Sequence, residues 1–146
     1  PLAMTLLDWK AYGTPYATEM TFAAKTLANE LHLLGLPVYA VELGATYSHA
    51  FAVDAREWGG GHAAALRLRK ANLLATGIGL PTDSDDAPGG GLRLGLNEPV
   101  RWGLTADDMA ELAALIVRGL NDDDHQAVAR DVTAFRRRFS TLHFVR

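Results

Sequence analysis

No cysteine occurs among the 146 residues, so neither disulfides nor thiolate metal sites contribute to this protein. Excess charge of one sign is equally absent. The net charge of −3 gives no global reason to expect nucleic acid or an anionic membrane as a partner. No apolar run approaches the length of a transmembrane helix, and no signal-peptide pattern opens the chain. A soluble cytoplasmic protein is therefore the expectation. Regular strand–helix alternation, GxGxxG and the Lys-Ser/Thr of a P-loop are also missing, which argues against a doubly wound dinucleotide fold and against a P-loop. The five histidines, His32, His49, His62, His125 and His143, show neither HExxH nor helical metal spacing. Asp83-Ser84-Asp85-Asp86 has the acidic density of a calcium loop but not its downstream Gly and Glu, and reads as a solvated loop. No GxSxG accompanies Ser48 and His49, and adjacent strand residues point to opposite faces, so a hydrolase pair is not supported.

What is present is a globular composition, 49% hydrophobic, in a length that suits one domain. Residues 1–13 read as a lead-in segment, and 14–146 as a single small domain. Thr14-Pro15 has the form of a helix start, and Gly35 that of its stop. Phe22, Leu27, Leu31 and Leu34 mark the buried stripe of that helix. Val38–Val41 and Ala50–Asp54 read as strands separated by a turn through Gly44 and Thr46-Tyr47-Ser48. Trp58-Gly59-Gly60-Gly61 is a helix entry or hinge, followed by a helix over about His62–Leu74. Ile78-Gly79-Leu80 is a short apolar run. The Asp-, Gly- and Pro-rich stretch Asp83–Gly91 reads as the least ordered of the chain and leads into a short strand, Leu92-Arg93-Leu94. Thr105 and Asp108 form a near capping box before a helix whose stripe is Met109, Leu112, Ile116 and Leu120. A last helix begins near Asp122-Asp123-Asp124 and ends near Arg136-Arg137-Arg138, charges that complement its dipole. The basic run is read as that helix end rather than as a nucleic-acid patch. The pattern is α+β, a small sheet with helices packed on it.

Arg93 stands out because an arginine between small and apolar residues needs a partner; an unpaired buried charge is costly. Its planar fork suits a carboxylate, held by two parallel hydrogen bonds. Either Glu98 or Asp54 supplies that carboxylate as an internal salt bridge, or a ligand does. His49, entering a strand, either bonds across the sheet or lines a cleft.

Three stretches, in order, carry a resemblance: Thr46–Asp54 (TYSHAFAVD), Ala71–Pro81 (ANLLATGIGLP) and Gly91–Gly95 (GLRLG), the last followed by Glu98–Gly103 (EPVRWG). Together they resemble the C-terminal small domain of the serine hydroxymethyltransferase family. These are fold-type I enzymes that use pyridoxal 5'-phosphate (PLP), and they include α-methylserine hydroxymethyltransferases and threonine transaldolases. The resemblance runs from about Thr14 to Gly119, and the Gly-Leu-Arg-Leu-Gly element is its most specific part. It implies that Arg93 binds the α-carboxylate of a small amino-acid substrate; His49, from its own place at the strand entry, is a further substrate-site candidate as support of the cleft wall. The family's Schiff-base lysine lies in its large domain. Lys10, Lys25 and Lys70 are the only lysines here, and none lies in a comparable motif, so no catalytic residue is assigned to this chain. The implied cofactor, PLP, is then held mainly by a PLP-binding large subunit or missing domain, and a hetero-oligomer is the implied assembly. The stretch Thr76–Pro81 has no asparagine where the folate-using enzymes carry one. This departure weighs against tetrahydrofolate and toward transaldolase or α-methylserine-type chemistry. The alternative is a non-catalytic scaffolding module that stabilises a PLP-enzyme partner.

Overall fold

The computed structural model describes residues 2–84 and 89–146. Among these described residues, eight regular elements follow one another: α1 (Leu2–Leu33), β1 (Ala50–Asp54), α2 (Gly61–Lys70), β2 (Thr76–Ile78), β3 (Gly91–Gly95), α3 (Asn97–Arg101), α4 (Met109–Asn121) and α5 (His125–Arg136). Short 3-10 turns occupy Val41–Leu43, Arg56–Trp58 and Ala106–Asp108. The sheet order is β1-β3-β2, antiparallel throughout, with β3 in the centre. Phe51, Val53, Leu92 and Leu94 are buried and join the helices in one core. The α+β reading holds: five helices pack on a small three-stranded sheet.

Helix α1 differs from the sequence expectation at its start. Thr14 is not its cap; the helix begins at Leu2 and runs through Pro15. An interior proline removes one backbone hydrogen bond and costs about 3 kcal/mol. Tertiary contacts on both sides of it offset that cost. Trp9 and Tyr16 pack with ring centroids 5.7 Å apart, and Tyr16 stacks on Phe144 at 5.0 Å. The Tyr16 hydroxyl donates to the Asn97 carbonyl at 2.7 Å, and Arg146 reaches Asp8 at 3.5 Å. Residues 2–13 thus form the first turns of the same helix. The buried stripe is also redrawn. Tyr16, Met20, Ala23, Ala24, Leu27, Ala28 and Leu31 face the core at helical spacing. Phe22 and Leu34 do not; they are 58% and 49% exposed.

Val38–Val41 is not a strand. Val38 makes one isolated bridge to Val53, after which Ala40 turns into the left-handed region at φ 54°. A strand cannot continue through that conformation. The helix expected to reach Leu74 ends at Lys70, and the strand near Ile78 is Thr76–Ile78. Helix α3 has no counterpart in the sequence reading. The carboxylate of Asp108 accepts from the Thr105 amide at 2.9 Å and its hydroxyl at 3.2 Å, as the near capping box implied. Asp124 caps α5 through the Ala127 amide at 2.9 Å.

Asp83 corrects the reading of its loop as merely solvated. Its Oδ2 accepts from the amides of Leu80, Gly89 and Gly90 at 2.8, 2.9 and 3.0 Å. Its Oδ1 accepts from Arg56 at 2.8 Å. Asp85 and Asp86 of the acidic run lie outside the described residues. The amide of Leu80, then that of Gly90, and the Arg56 guanidinium with the Gly89 amide pull the Asp83 carboxyl down to about 2, against burial. A carboxyl lowered by folding stabilises the folded state above its unfolded value near 3.8, and this contribution fades as pH falls through about 2. Asp83→Asn should therefore lower the thermal midpoint at pH 7. The gap to the unmodified protein should narrow as titration approaches pH 2; a gap independent of pH would contradict this account.

The Gly59–Gly61 segment proves to be a close-packed helix entry. A Cβ on Gly61 would lie 1.7 Å from the carbonyl oxygen of Gly91, and one on Gly77 2.6 Å from the His62 amide nitrogen. Only hydrogen at both positions lets α2 seat over the sheet. Because backbone rather than a flexible side chain blocks the space, Gly61→Ala should cost about 3 kcal/mol. A urea titration with unchanged slope and a lowered midpoint would show it.

Candidate functional site

Arg93 occupies the middle of the central strand, between Ala52 on β1 and Thr76 on β2. Alternation along β3 decides its direction. Leu92 and Leu94 point into the core, so Arg93 points to the opposite, open face, where it is exposed. The premise of a buried charge is therefore corrected: within this chain the guanidinium is not desolvated. Its same-face neighbours are small. Gly91 and Gly95 lie two residues to either side, and Ala52 and Thr76 flank it across the strands. Leu80 packs over the Gly91 end, and the Asn97 side chain stands beside the Gly95 end. The result is a shallow floor from which one cation rises.

The internal salt-bridge alternatives are both occupied elsewhere. Asp54 pairs with Arg56. Glu98 accepts from the indole Nε1 of Trp102 at 2.8 Å. Among the described residues, no carboxylate lies within ion-pair distance of Arg93. Its polar partner is His49, with the guanidinium Nη2 3.3 Å from the imidazole Nε2. The structure thus brings together the two residues singled out in the sequence, from segments 44 positions apart.

A cleft of about 550 Å³ opens beside Arg93, lined among others by Leu74, Thr76, Asn97, Glu98, Trp102 and Arg136. The guanidinium of Arg136 stacks over the Trp102 ring at 4.5 Å. Sequence reasoning missed this wall. In the sequence Arg136 reads only as a helix-end charge, which it is, and helix α3, which carries Glu98, gives no periodic signal over its five residues. The three lysines do not serve this cleft. None lines it, and the Lys25 ammonium sits 4.3 Å from the centre of the Tyr47 ring. Among the described residues, no group of three or more His, Asp or Glu side chains is placed to hold a metal ion. Among the described residues, no helix is long and apolar enough to cross a membrane.

These features define a small α+β domain that presents an arginine on an open sheet face, flanked there by Ala52, Thr76, Gly91 and Gly95. No family model matches the sequence. It is 47% identical to an α-methylserine aldolase from a Ralstonia species, over 99% of this chain and 33% of that protein. It is 49% identical to an α-methylserine aldolase from Variovorax paradoxus, over 99% of this chain and 32% of that protein. A serine hydroxymethyltransferase from Pyrobaculum neutrophilum is 36% identical over 97% of this chain and 33% of its own length. A solved L-threonine transaldolase from Pseudomonas fluorescens, in its internal aldimine state, superposes with a TM-score of 0.86 at 25% identity. That match covers 99% of this chain and 33% of the transaldolase. Its relatives are serine hydroxymethyltransferase-like enzymes, and the chain corresponds to their C-terminal domain. It spans about a third of the length of the curated relatives it matches.

An exposed arginine with no carboxylate partner contributes little to folding. Arg93→Ala should leave the stability of the chain within about 0.5 kcal/mol of the unmodified protein. Chemical denaturation checks this, and a loss of several times that size would return Arg93 to a structural role.

Proposed function

We propose that this chain supplies the substrate-carboxylate arginine of a PLP-dependent enzyme acting on a small β-hydroxy amino acid by hydroxymethyl transfer, aldol or transaldol chemistry. The observation that carries the reading is Arg93, a guanidinium on an open sheet face with no carboxylate partner among the described residues. A guanidinium in that state matches a ligand carboxylate in charge and in fork geometry. The names of the relatives support the reaction class.

The residues of this chain do not fit PLP on their own, because no lysine reaches the cleft. A lysine-bearing part, either a further domain of a longer polypeptide or a separate large subunit, completes the site and holds the cofactor. PLP bound there supplies the electron sink for breaking a bond at Cα. This chain's contribution is orientation. Two parallel hydrogen bonds from Arg93 fix the carboxylate plane, and with it the directions of the other Cα bonds, so that one is presented for cleavage before chemistry begins. Tetrahydrofolate has no role in this reading.

The first turns of α1 support a covering partner. Leu2, Met4, Leu6, Leu7 and Trp9 are 73%, 57%, 60%, 44% and 46% exposed. Large apolar side chains grouped in this way mark interaction surface. In the assembled enzyme, Arg93→Ala should raise KM for the amino acid and lower kcat/KM by roughly tenfold or more. Steady-state kinetics on the yellow, PLP-loaded complex is the measurement. Unchanged constants would sink the assignment and favour a scaffolding role.

A further inference from the structure

We propose that His49 is a positioning residue for Arg93: its imidazole holds the guanidinium from the side as a neutral acceptor, leaving the full positive charge and the free edge of the fork for a ligand carboxylate. This inference rests on the carboxylate-binding reading of Arg93.

The contact itself fixes the proton. Arginine has donors only, so the pairing of Nη2 with Nε2 at 3.3 Å requires Nε2 to accept. The imidazole is then neutral, with its proton on Nδ1. The choice of partner has an electrostatic consequence. An aspartate or glutamate here would also orient the guanidinium, but it would neutralise it and compete with the ligand for the same edge. A neutral ring orients without that competition.

The backbone that carries His49 is held on both sides. Its carbonyl accepts from the Leu96 amide at 2.8 Å, which extends the β1–β3 pairing by one link toward the residue after Gly95. On the other side, the Ser48 amide donates to the Thr46 hydroxyl oxygen at 3.0 Å, and that hydroxyl donates to the Ala50 carbonyl at 2.6 Å. The Ala50 amide donates to the Ser48 hydroxyl oxygen at 3.3 Å. His49 is half-buried and Arg93 exposed, so the firmer residue braces the freer one. An unbraced arginine loses more side-chain entropy when it grips a ligand; bracing lowers that cost and tightens binding without touching the ligand.

The experiment compares His49→Phe, His49→Gln and Arg93→Ala in the complete PLP-loaded enzyme. Phe keeps a ring without an acceptor; Gln keeps an acceptor. His49→Phe should raise KM for the amino acid roughly threefold to tenfold with kcat within about twofold. His49→Gln should recover most of that loss. Wild-type constants for His49→Phe, or equal damage from Gln and Phe, would overturn the proposal. If Arg93→Ala weakens the enzyme while His49→Phe does not, only the positioning role fails. If Arg93→Ala has no effect, the carboxylate reading itself fails. A readout independent of turnover is long-range nitrogen–proton NMR of the imidazole at neutral pH. The expected spectrum shows an unprotonated Nε2 and a protonated Nδ1; a proton on Nε2 overturns the proposal.

Discussion

The alternation of β3 governs the site. Leu92 and Leu94 must face the core, because the helices leave no other place for them. With a period of two, the residue between them must face outward. One set of contacts therefore both closes the core and aims the cation. The glycine contact between α2 and the end of β3 holds the same strand at its first residue. Stability and site geometry are in this sense one constraint: a change that let β3 slip by a single residue would bury the arginine and expose the leucines.

How much of this was legible depended on whether a residue's role was local. The leucine–arginine–leucine pattern carried its own meaning, and so did the stripe of α4, because periodicity is written along the chain. The start of α1 was misread because Thr14-Pro15 is a strong local signal that distant partners outweigh. Phe144 stacks on Tyr16 just after the proline and Arg146 pairs with Asp8 before it, both from more than a hundred residues away. Asp83 looked like one acid in a soluble loop because nothing in its neighbours' identities shows that three amides and a guanidinium converge on it. The Trp102–Arg136 wall was invisible for the same reason: it forms only when α5 returns beside α3.

The electrostatic arrangement of the open face follows a simple division. The two acids that the sequence offers as internal partners for Arg93 are already engaged, Asp54 by Arg56 and Glu98 by an indole. Their engagement keeps them from quenching the guanidinium. Around it stand small side chains, which add neither bulk nor competing charge. The relatives give this arrangement its context, since the chain amounts to a third of their length.

Pro15 gives α1 a property its geometry hides. The helix spans 32 residues, about 48 Å at 1.5 Å per residue. At the proline one rung of its hydrogen-bond ladder is absent. Beyond that point toward Leu2, buried aliphatic packing gives way to a few aromatic and ionic fastenings near the chain's last residues. Cooperative units in proteins separate where such contacts thin out. The rod is continuous in shape but uneven in its support: the remainder packs chiefly against α4, while the first turns have only those few fastenings to hold them.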